Sequence, residues 1–512
     1  MVSTVKPKGT NITSLFLEQA TKHPETIALV DRDDTTITFG TLSKEVKQTA
    51  AGLQARGINR GDRVLIFIPM SIDLYRVVLA LFYLGATAVF LDEWVDRKRL
   101  AICCKLASCK AMIGSRKALL LTWWLAPLRR LAIRLTPQQL TSTDSIAQAA
   151  VNPEETALIT FTTGSTGIPK AADRSHAFLK AQFEALRSEI HPQPGDVAMP
   201  VLPIVLLINL GAGATSVIAD FPARKPEKMK PAALYQQIQR HQVSRITSSP
   251  FVVDKLATWM RESKKKCPSV RQVFTGGAPV FPEMAANLIK AFSAEIRVVF
   301  GSTEAEPISM AAADEVIKEH LPGKGLFVGT IYEGSDVRII PIQHGPIASL
   351  PENKFDDLQL PAFEIGEIVV SGDHVLNKYI DNPEAWRQNK IEVEDTIWHR
   401  TGDAGFLNQN GDLYLIGRAS RILFTREGMI APFLIEQELI AVAGGTIGTV
   451  IKVQGELVLA IESSKSSSEG ITKDFLRSIG LPTTIRIKRL SRIPRDPRHN
   501  GKIDYGRLEQ LI

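Results

Sequence analysis

An unbroken apolar run, Val64-Leu65-Ile66-Phe67-Ile68, sets the first constraint on the fold. A run of this kind suits a strand covered on both faces. Segments with helical spacing bracket it. Across Thr41 to Gly57, Leu42, Val46, Ala50 and Leu53 recur on one face, and Gly57 suits a helical stop. Ser71 to Leu84 is expected to be a second helix closed by Gly85, and Ala88-Val89-Phe90-Leu91 the next strand. Strand, helix, strand in this order is a βαβ unit of a parallel sheet, which places the chain among α/β proteins built in layers.

With 512 residues there is room for about three structural units at ~100–200 residues each. Apolar residues make up 44% and charged residues 22%, which argues against long disorder and for a sizeable core. Lys plus Arg number 61 against 54 Asp plus Glu, a net charge of +7. That excess suits an anionic substrate, a nucleotide or a membrane surface and selects none of them. No dense basic tract interleaved with aromatics stands out, so no nucleic-acid partner is expected. Met1 to Lys8 lack the apolar run of a signal peptide, and no stretch of ~20 apolar residues occurs, so a cytoplasmic location is expected. Cys103, Cys104 and Cys109 share one short apolar stretch with no histidine nearby, and Cys267 stands apart. They are expected to be small apolar packing residues in a reducing compartment rather than metal ligands.

From about Gly366 the texture turns strand-rich, with Glu367–Gly372 and Leu413–Gly417 as expected strands. Beyond Gly417 a helix is expected near Pro432–Val442, strands at Thr449–Val453 and Glu456–Ile461, then a basic tail. The expected division is a body over 1–417 and a small α+β lid over 418–512, joined at Arg418–Arg421. One earlier stretch has two readings. Leu119 to Leu125 contains Trp123 and Trp124 and is followed by Pro127, Arg129 and Arg130. Adjacent tryptophans beside paired arginines suit an interfacial helix dipping into lipid headgroups, which keeps peripheral membrane contact open. A core helix with a solvated arginine edge is the favoured reading.

The densest chemical signal follows the expected strand Ala157–Phe161. Thr162, Thr163, Gly164, Ser165, Thr166 and Gly167 alternate hydroxyls with glycines, and Lys170 ends the run. Glycines let backbone N–H groups approach a polyanion, hydroxyls add donors and the lysine adds a point charge. The spacing is not that of a Walker A loop. Downstream come Thr275-Gly276-Gly277-Ala278-Pro279, Phe300-Gly301-Ser302-Thr303-Glu304, Trp398-His399-Arg400-Thr401-Gly402-Asp403, Gly417-Arg418, and Arg498-His499-Asn500-Gly501-Lys502.

In this order, from about residue 12 to 510, the motifs resemble the adenylate-forming superfamily: acyl-CoA synthetases, peptide-synthetase adenylation domains and luciferases. The resemblance implies a large body of parallel sheets flanked by helices, a distorted β subdomain and a small mobile lid. It implies that ATP and Mg²⁺ turn a carboxylic acid into an acyl-adenylate and pyrophosphate. The 162–170 segment would grip phosphate, Gly276 to Pro279 would wall the adenine slot, and Phe300, with Gly301 and Ser302, would line it. Thr303 would contact phosphate, Glu304 would hold Mg²⁺, Asp403 would accept both ribose hydroxyls, and Arg418 would add a ribose or phosphate contact. Lys502, carried in on the lid, would balance charge as the carboxylate attacks the α-phosphorus. Ser420 at the hinge, Ala171 after Lys170, and Ala443-Gly444-Gly445 depart from the family pattern.

The nearly continuous apolar stretch Pro200 to Gly211 is expected either to line an acyl pocket or to be a core strand or helix. A long aliphatic acid suits an apolar tunnel, which gains ~0.8 kcal/mol per buried CH₂. Transfer to CoA is the first reading of the second step, with CoA a candidate co-substrate. The Arg-His-Asn before Gly501-Lys502, the Gly417-Arg418-Ala419-Ser420-Arg421 hinge, the histidine-free Pro203–Gly211 run and Pro346-Ile347 resemble the β-lactone synthetases of bacterial long-chain olefin synthesis. That branch closes a 2-alkyl-3-hydroxy acid onto its own hydroxyl without CoA, and an intramolecular nucleophile benefits from high effective molarity. A non-catalytic nucleotide- or lipid-binding relative is the alternative of another class.

Overall fold

The computed structural model describes residues 11–91, 97–163, 169–222, 225–321, 323–425, 428–442, 447–462, 471–495 and 503–512. Two large sheets organise the body. A six-stranded sheet runs in the order Ile133–Leu135, Ala111–Gly114, Arg63–Phe67, Thr87–Phe90, Thr156–Thr163, Pro169–Ser175. All its pairings are parallel except the last, where Pro169–Ser175 returns antiparallel. The expected βαβ unit lies at its centre. Helix Phe39–Ala55 is capped by Thr38, whose hydroxyl accepts from Thr41 N–H at 3.2 Å. It starts two residues before the apolar period suggests, because Phe39 is itself buried in the first turn. Helix Ile72–Leu84 is capped by Ser71 and stopped by Gly85 at φ +74°, a left-handed conformation that glycine adopts without strain. From Leu74 to Leu84 every residue of this helix is buried, because it packs into a single large core shared with both sheets.

The second sheet has fourteen strands and changes character along its width. Val197–Pro200, Thr215–Val217, Arg245–Ser248, Gln272–Gly276 and Glu295–Ser302 are parallel. From Ala305–Ala312 onward, through Leu326–Ile331, Leu413–Arg418, Thr396–Leu407 and Gly366–Ser371, the pairing is antiparallel. The antiparallel part is the distorted β region that the resemblance implied, and the α/β class holds.

The terminal segment forms helix Pro432–Val442 and a three-stranded sheet of Gly448–Val453, Glu456–Glu462 and Arg486–Leu490. The helix and first two strands match expectation to within a residue or two. Ile435, Leu439, Val450, Leu459, Ile461 and Phe475 give this segment its own apolar cluster. The body's core nevertheless continues through Ala419, Ile422, Ala431 and Leu434. Packing therefore passes gradually across the expected junction at 417/418.

Cys103 and Cys104 are buried on helix Arg97–Leu106, and all four cysteines are free thiols. The tryptophan stretch corrects the favoured reading. It is three single-turn helices, Arg116–Leu119, Leu121–Trp124 and Ala126–Arg129, rather than one core helix. Trp123 and Trp124 are 76% and 81% exposed. Ala118, Thr122, Leu128 and Leu131 take the inward positions instead, and Pro127, with no N–H to donate, starts a new turn rather than extending the old one. Among the described residues no helix is long and apolar enough to cross a membrane.

Candidate active site

Two hairpins, one from each sheet, meet near their turn ends. In the first, Thr156–Thr163 pairs antiparallel with Pro169–Ser175, and Thr162 stands opposite Lys170, Thr163 opposite Pro169. Gly164, Ser165, Thr166 and Gly167 lie outside the described residues. In the second, Glu295–Ser302 turns into Ala305–Ala312 through Thr303 and Glu304. The turn is tight. Ser302 Oγ accepts from Ala305 N–H at 3.2 Å, and a Cβ on Gly301 would lie 2.8 Å from the Ala305 carbonyl oxygen, too close for any larger residue.

Glu304 is buried at the meeting point. Its Oε1 accepts from Thr162 Oγ1 at 3.1 Å and from the Tyr379 hydroxyl at 3.3 Å, with Lys170 Nζ 3.8 Å away. The Glu304 carbonyl accepts from Leu376 N–H at 2.7 Å. The Thr303 carbonyl accepts from the Arg174 guanidinium at 2.8 Å. Lys170 is further held by Asn389 Oδ1 at 2.9 Å and by the Tyr379 ring, 5.2 Å from its ammonium. Ala171, the departure from the family pattern, is packed into the core, and its carbonyl accepts from Ile380 N–H at 2.9 Å.

Beneath this pair lies a layer of buried cations and neutral groups. Lys390 is 1% exposed, donates to the Leu376 carbonyl, and lies 5.7 Å from the Tyr379 ring. Burial pushes its amine down to about 7, Lys170 adds to the fall, and Glu304 opposes it. Lys170 is lowered by burial too, with Arg418 adding to the effect and Glu304 resisting. His399, whose Nδ1–H donates to the Asn389 carbonyl at 3.1 Å, sits well below its ordinary value through burial and the neighbouring Lys390. Burial and then Glu304 push the Tyr379 hydroxyl up, so it stays a donor. Low-dielectric surroundings strengthen each of these interactions.

The expected adenine wall adjoins the same hairpin. Gly276 ends strand Gln272–Gly276 opposite Val299, the residue before Phe300. A Cβ on Gly276 would lie 2.4 Å from the Val299 carbonyl, and Gly277 adopts φ +82°. The strand pair thus demands glycine at both positions, leaving Ala278 and Pro279 to continue the turn. Phe300 is half-buried against the main core. Thr275 is buried, and its hydroxyl has no hydrogen-bond partner among the described residues, an orphaned donor of the kind a ligand or water satisfies. All of this lies at the carboxyl ends of parallel strands, where open α/β sheets bind ligands.

Asp403 and Arg418 are register partners on adjacent strands, with Arg418 Nε 3.4 Å from Asp403 Oδ1. Gly402, at φ +70°, turns the chain before Asp403, whose N–H donates to Thr401 Oγ1 at 3.0 Å. Arg400 is structural: it is buried against Glu367 at 2.6 Å and holds the Gln343 and Gly345 carbonyls. Lys502 lies outside the described residues, as do the two residues before it.

Pro203–Ala212 is a helix, resolving the strand-or-helix alternative for the Pro200–Gly211 stretch. Leu206 and Leu210 join one core cluster and Val205 and Ile208 another, so its length serves packing. Val201, Leu202, Ile204 and Leu207 near its start are only half-buried.

Tyr379, Asn389, Lys390 and Arg174 were not singled out from sequence. Lys390 alternates with apolar Ile391 and Val393 on its strand, a pattern that ordinarily sends the lysine to solvent. The site has one buried carboxylate, and among the described residues no group of three or more His, Cys, Asp or Glu gathers to cage an ion. One carboxylate with adjacent hydroxyls fits Mg²⁺, which keeps water and phosphate oxygens as its remaining ligands.

A family model described as AMP-binding enzyme matches residues 16–380. An olefin beta-lactone synthetase of Stenotrophomonas maltophilia (strain K279a) is 28% identical, covering 97% of this chain and 97% of that protein. A 4-coumarate-CoA ligase of Narcissus pseudonarcissus is 25% identical, covering 91% and 87%. The solved O-succinylbenzoate Coenzyme A synthetase from Bacillus subtilis in complex with AMP shares the fold at TM-score 0.78 and 20% identity, covering 97% and 98%. The chain belongs to the AMP-binding enzyme family, the adenylate-forming acid ligases.

Proposed function

We propose that this enzyme uses ATP to activate a long-chain 3-hydroxy acid and that the acid's own hydroxyl then displaces AMP, closing a β-lactone. The observation that carries the reading is the full-length similarity to two olefin beta-lactone synthetases, at 28% and 29% identity. The sequence features around Lys502 and the hinge point the same way. In the first step a carboxylate oxygen forms a bond to the α-phosphorus and pyrophosphate leaves. In the second the 3-hydroxyl oxygen bonds to the acyl carbon, the acyl–phosphate bond breaks, AMP leaves with the electron pair, and the hydroxyl proton passes to solvent.

The chain's residues would divide the work. Thr162 and Lys170 would bind phosphate oxygens from the turn end of the first hairpin. Glu304 would hold Mg²⁺, aimed by Thr162 and Tyr379, while Thr303 contacts phosphate beside it. Bound there, Mg²⁺ supplies charge neutralisation for the pyrophosphate that departs. Gly276 to Pro279 and Phe300, with Gly301 and Ser302, would shape the adenine slot, and Asp403 with Arg418 would hold ribose. Lys502 would bring a further cation with the 418–512 lid. The half-buried start of the Pro203–Ala212 helix would line the acyl site.

A CoA thioester is the second reading, favoured by the similarity to 4-coumarate-CoA ligases. The two separate in one assay: a long-chain acid with and without a 3-hydroxyl, each with and without CoA. CoA-independent AMP release with the hydroxy acid alone supports lactone closure. Strictly CoA-dependent thioester formation from the simple fatty acid overturns it.

A further inference from the structure

The exposed tryptophan platform has a charge setting unlike the rest of the chain. From Arg97 to Thr143 there are ten Lys and Arg residues and no Asp or Glu, whereas the whole chain carries only +7. Acidic residues resume at Asp96 on one side and Asp144 on the other. Within this stretch Leu120, Trp123 and Trp124 are 62%, 76% and 81% exposed. Packing fixes them outward. Thr122 is buried and its hydroxyl donates to the Leu119 carbonyl at 2.6 Å, while Ala118, Leu128 and Leu131 fill the cluster below. Arg116, Lys117, Arg129 and Arg130 flank the indoles along the chain, and all four are exposed.

We infer that this surface docks the enzyme on an anionic lipid bilayer. Indoles rest at the headgroup level, with the apolar ring inward and the N–H in contact with water, and each nearby Lys or Arg adds electrostatic attraction to anionic headgroups. The platform also sits at a telling place in the fold. Strand Ala111–Gly114 leads into it, and strand Thr156–Thr163 leads into the phosphate-binding hairpin. Both belong to one parallel run through Arg63–Phe67 and Thr87–Phe90, so both leave the sheet at its carboxyl end, roughly 15 Å apart at the usual strand spacing. The same buried cluster contains Ala118 and Leu128 below the platform and Ile159 and Ala171 of the hairpin. A bilayer on this surface lies beside the active-site end of the sheet, where a long-chain acid dissolved in lipid is within reach. The docking does not depend on which acceptor the enzyme uses.

Co-sedimentation of the full chain with vesicles of phosphatidylcholine, alone or mixed with phosphatidylglycerol, tests it. Partition is expected to rise with phosphatidylglycerol and fall with salt. Trp123→Ser/Trp124→Ser is expected to lose partition about tenfold or more, with unchanged melting and unchanged pyrophosphate exchange on a water-soluble short acid. Arg129→Gln/Arg130→Gln is expected to lose about thirtyfold on the mixed vesicles and little on the neutral ones. Failure to bind mixed vesicles, or equal binding by the tryptophan variant, overturns the inference. So does self-association through these tryptophans, seen as a concentration-dependent sedimentation coefficient that the tryptophan variant abolishes while vesicle binding is absent.

Discussion

The Thr162 hydroxyl donates to the Glu304 carboxylate at 3.1 Å, joining two hairpins whose contacting residues are 142 positions apart. The bond orients the carboxylate between the sheets, and Tyr379 and Lys170 converge on the same oxygen. Removing the hydroxyl with Thr162→Val forfeits one charge-assisted bond and is expected to lower adenylation about tenfold. Glu304→Gln keeps the shape and removes the charge, and is expected to lower kcat by about 100- to 1,000-fold. Acid-dependent pyrophosphate release checks both, with thermal melting confirming that the fold survives.

Lys390 gives the layer below the site a distinct pH signature. The unfolded lysine holds its proton to near pH 10.5 and the folded one only to about 7. Between these values the unfolded chain binds more protons, so stability rises with pH, by up to ~1.4 kcal/mol per pH unit. Below about pH 7 the whole penalty of burying the ammonium is present. Lys390→Met is expected to flatten the rise in denaturant midpoint across that window. An unchanged slope in the variant would show that Lys390 is not its source.

His176 acts at the acid end. Its Nδ1 accepts from Ile12 N–H at 3.2 Å, at the start of helix Thr13–Lys22, so the ring must be neutral to hold it. Burial pushes it down from 6.5 to about 4, with Arg60 adding and Glu155 opposing. As pH falls through that window the unfolded chain takes the proton first, and up to about 3 kcal/mol of stability is lost. His176→Asn removes this titration. Equilibrium unfolding at stepped pH is expected to show a shallower acid loss in the variant.

Asp403 and Arg418 form a pair that is open to a ligand, with Arg418 half-exposed. With Asp403 in the proposed ribose-binding role, Asp403→Asn would weaken two charge-assisted acceptor contacts and is expected to raise KM for ATP about tenfold or more, with a smaller change in kcat. Steady-state kinetics with ATP varied distinguishes this from a loss of chemistry.

The parallel architecture was legible because its strands are continuous apolar runs and its helices carry their own caps, Thr38, Ser71 and Gly85. The ordered motifs made the family legible. What escaped is where tertiary packing overrides local pattern. Lys390 lies on a strand whose alternation directs it to water, yet burial beside Tyr379 and His399 holds it inside. Tyr379 reaches Glu304 only because Val375 pairs with Ala305, and Tyr379 itself with Ala172, through isolated bridges that no local spacing encodes. The tryptophans were misassigned because an apolar run implies burial, whereas here the smaller Ala118 and Thr122 take the inward places. Residues 164–168 and 501–502, which sequence marks most strongly, lie outside the described residues.

The most direct measurement is exchange of labelled pyrophosphate into ATP, driven by a panel of long-chain acids with and without a 3-hydroxyl. The native enzyme is expected to catalyse exchange with at least one of these acids, and Glu304→Gln and Lys502→Ala to lose it by about 100-fold or more while melting as the native chain does. No exchange with any acid by well-folded native enzyme, or full exchange by Glu304→Gln, would contradict the account.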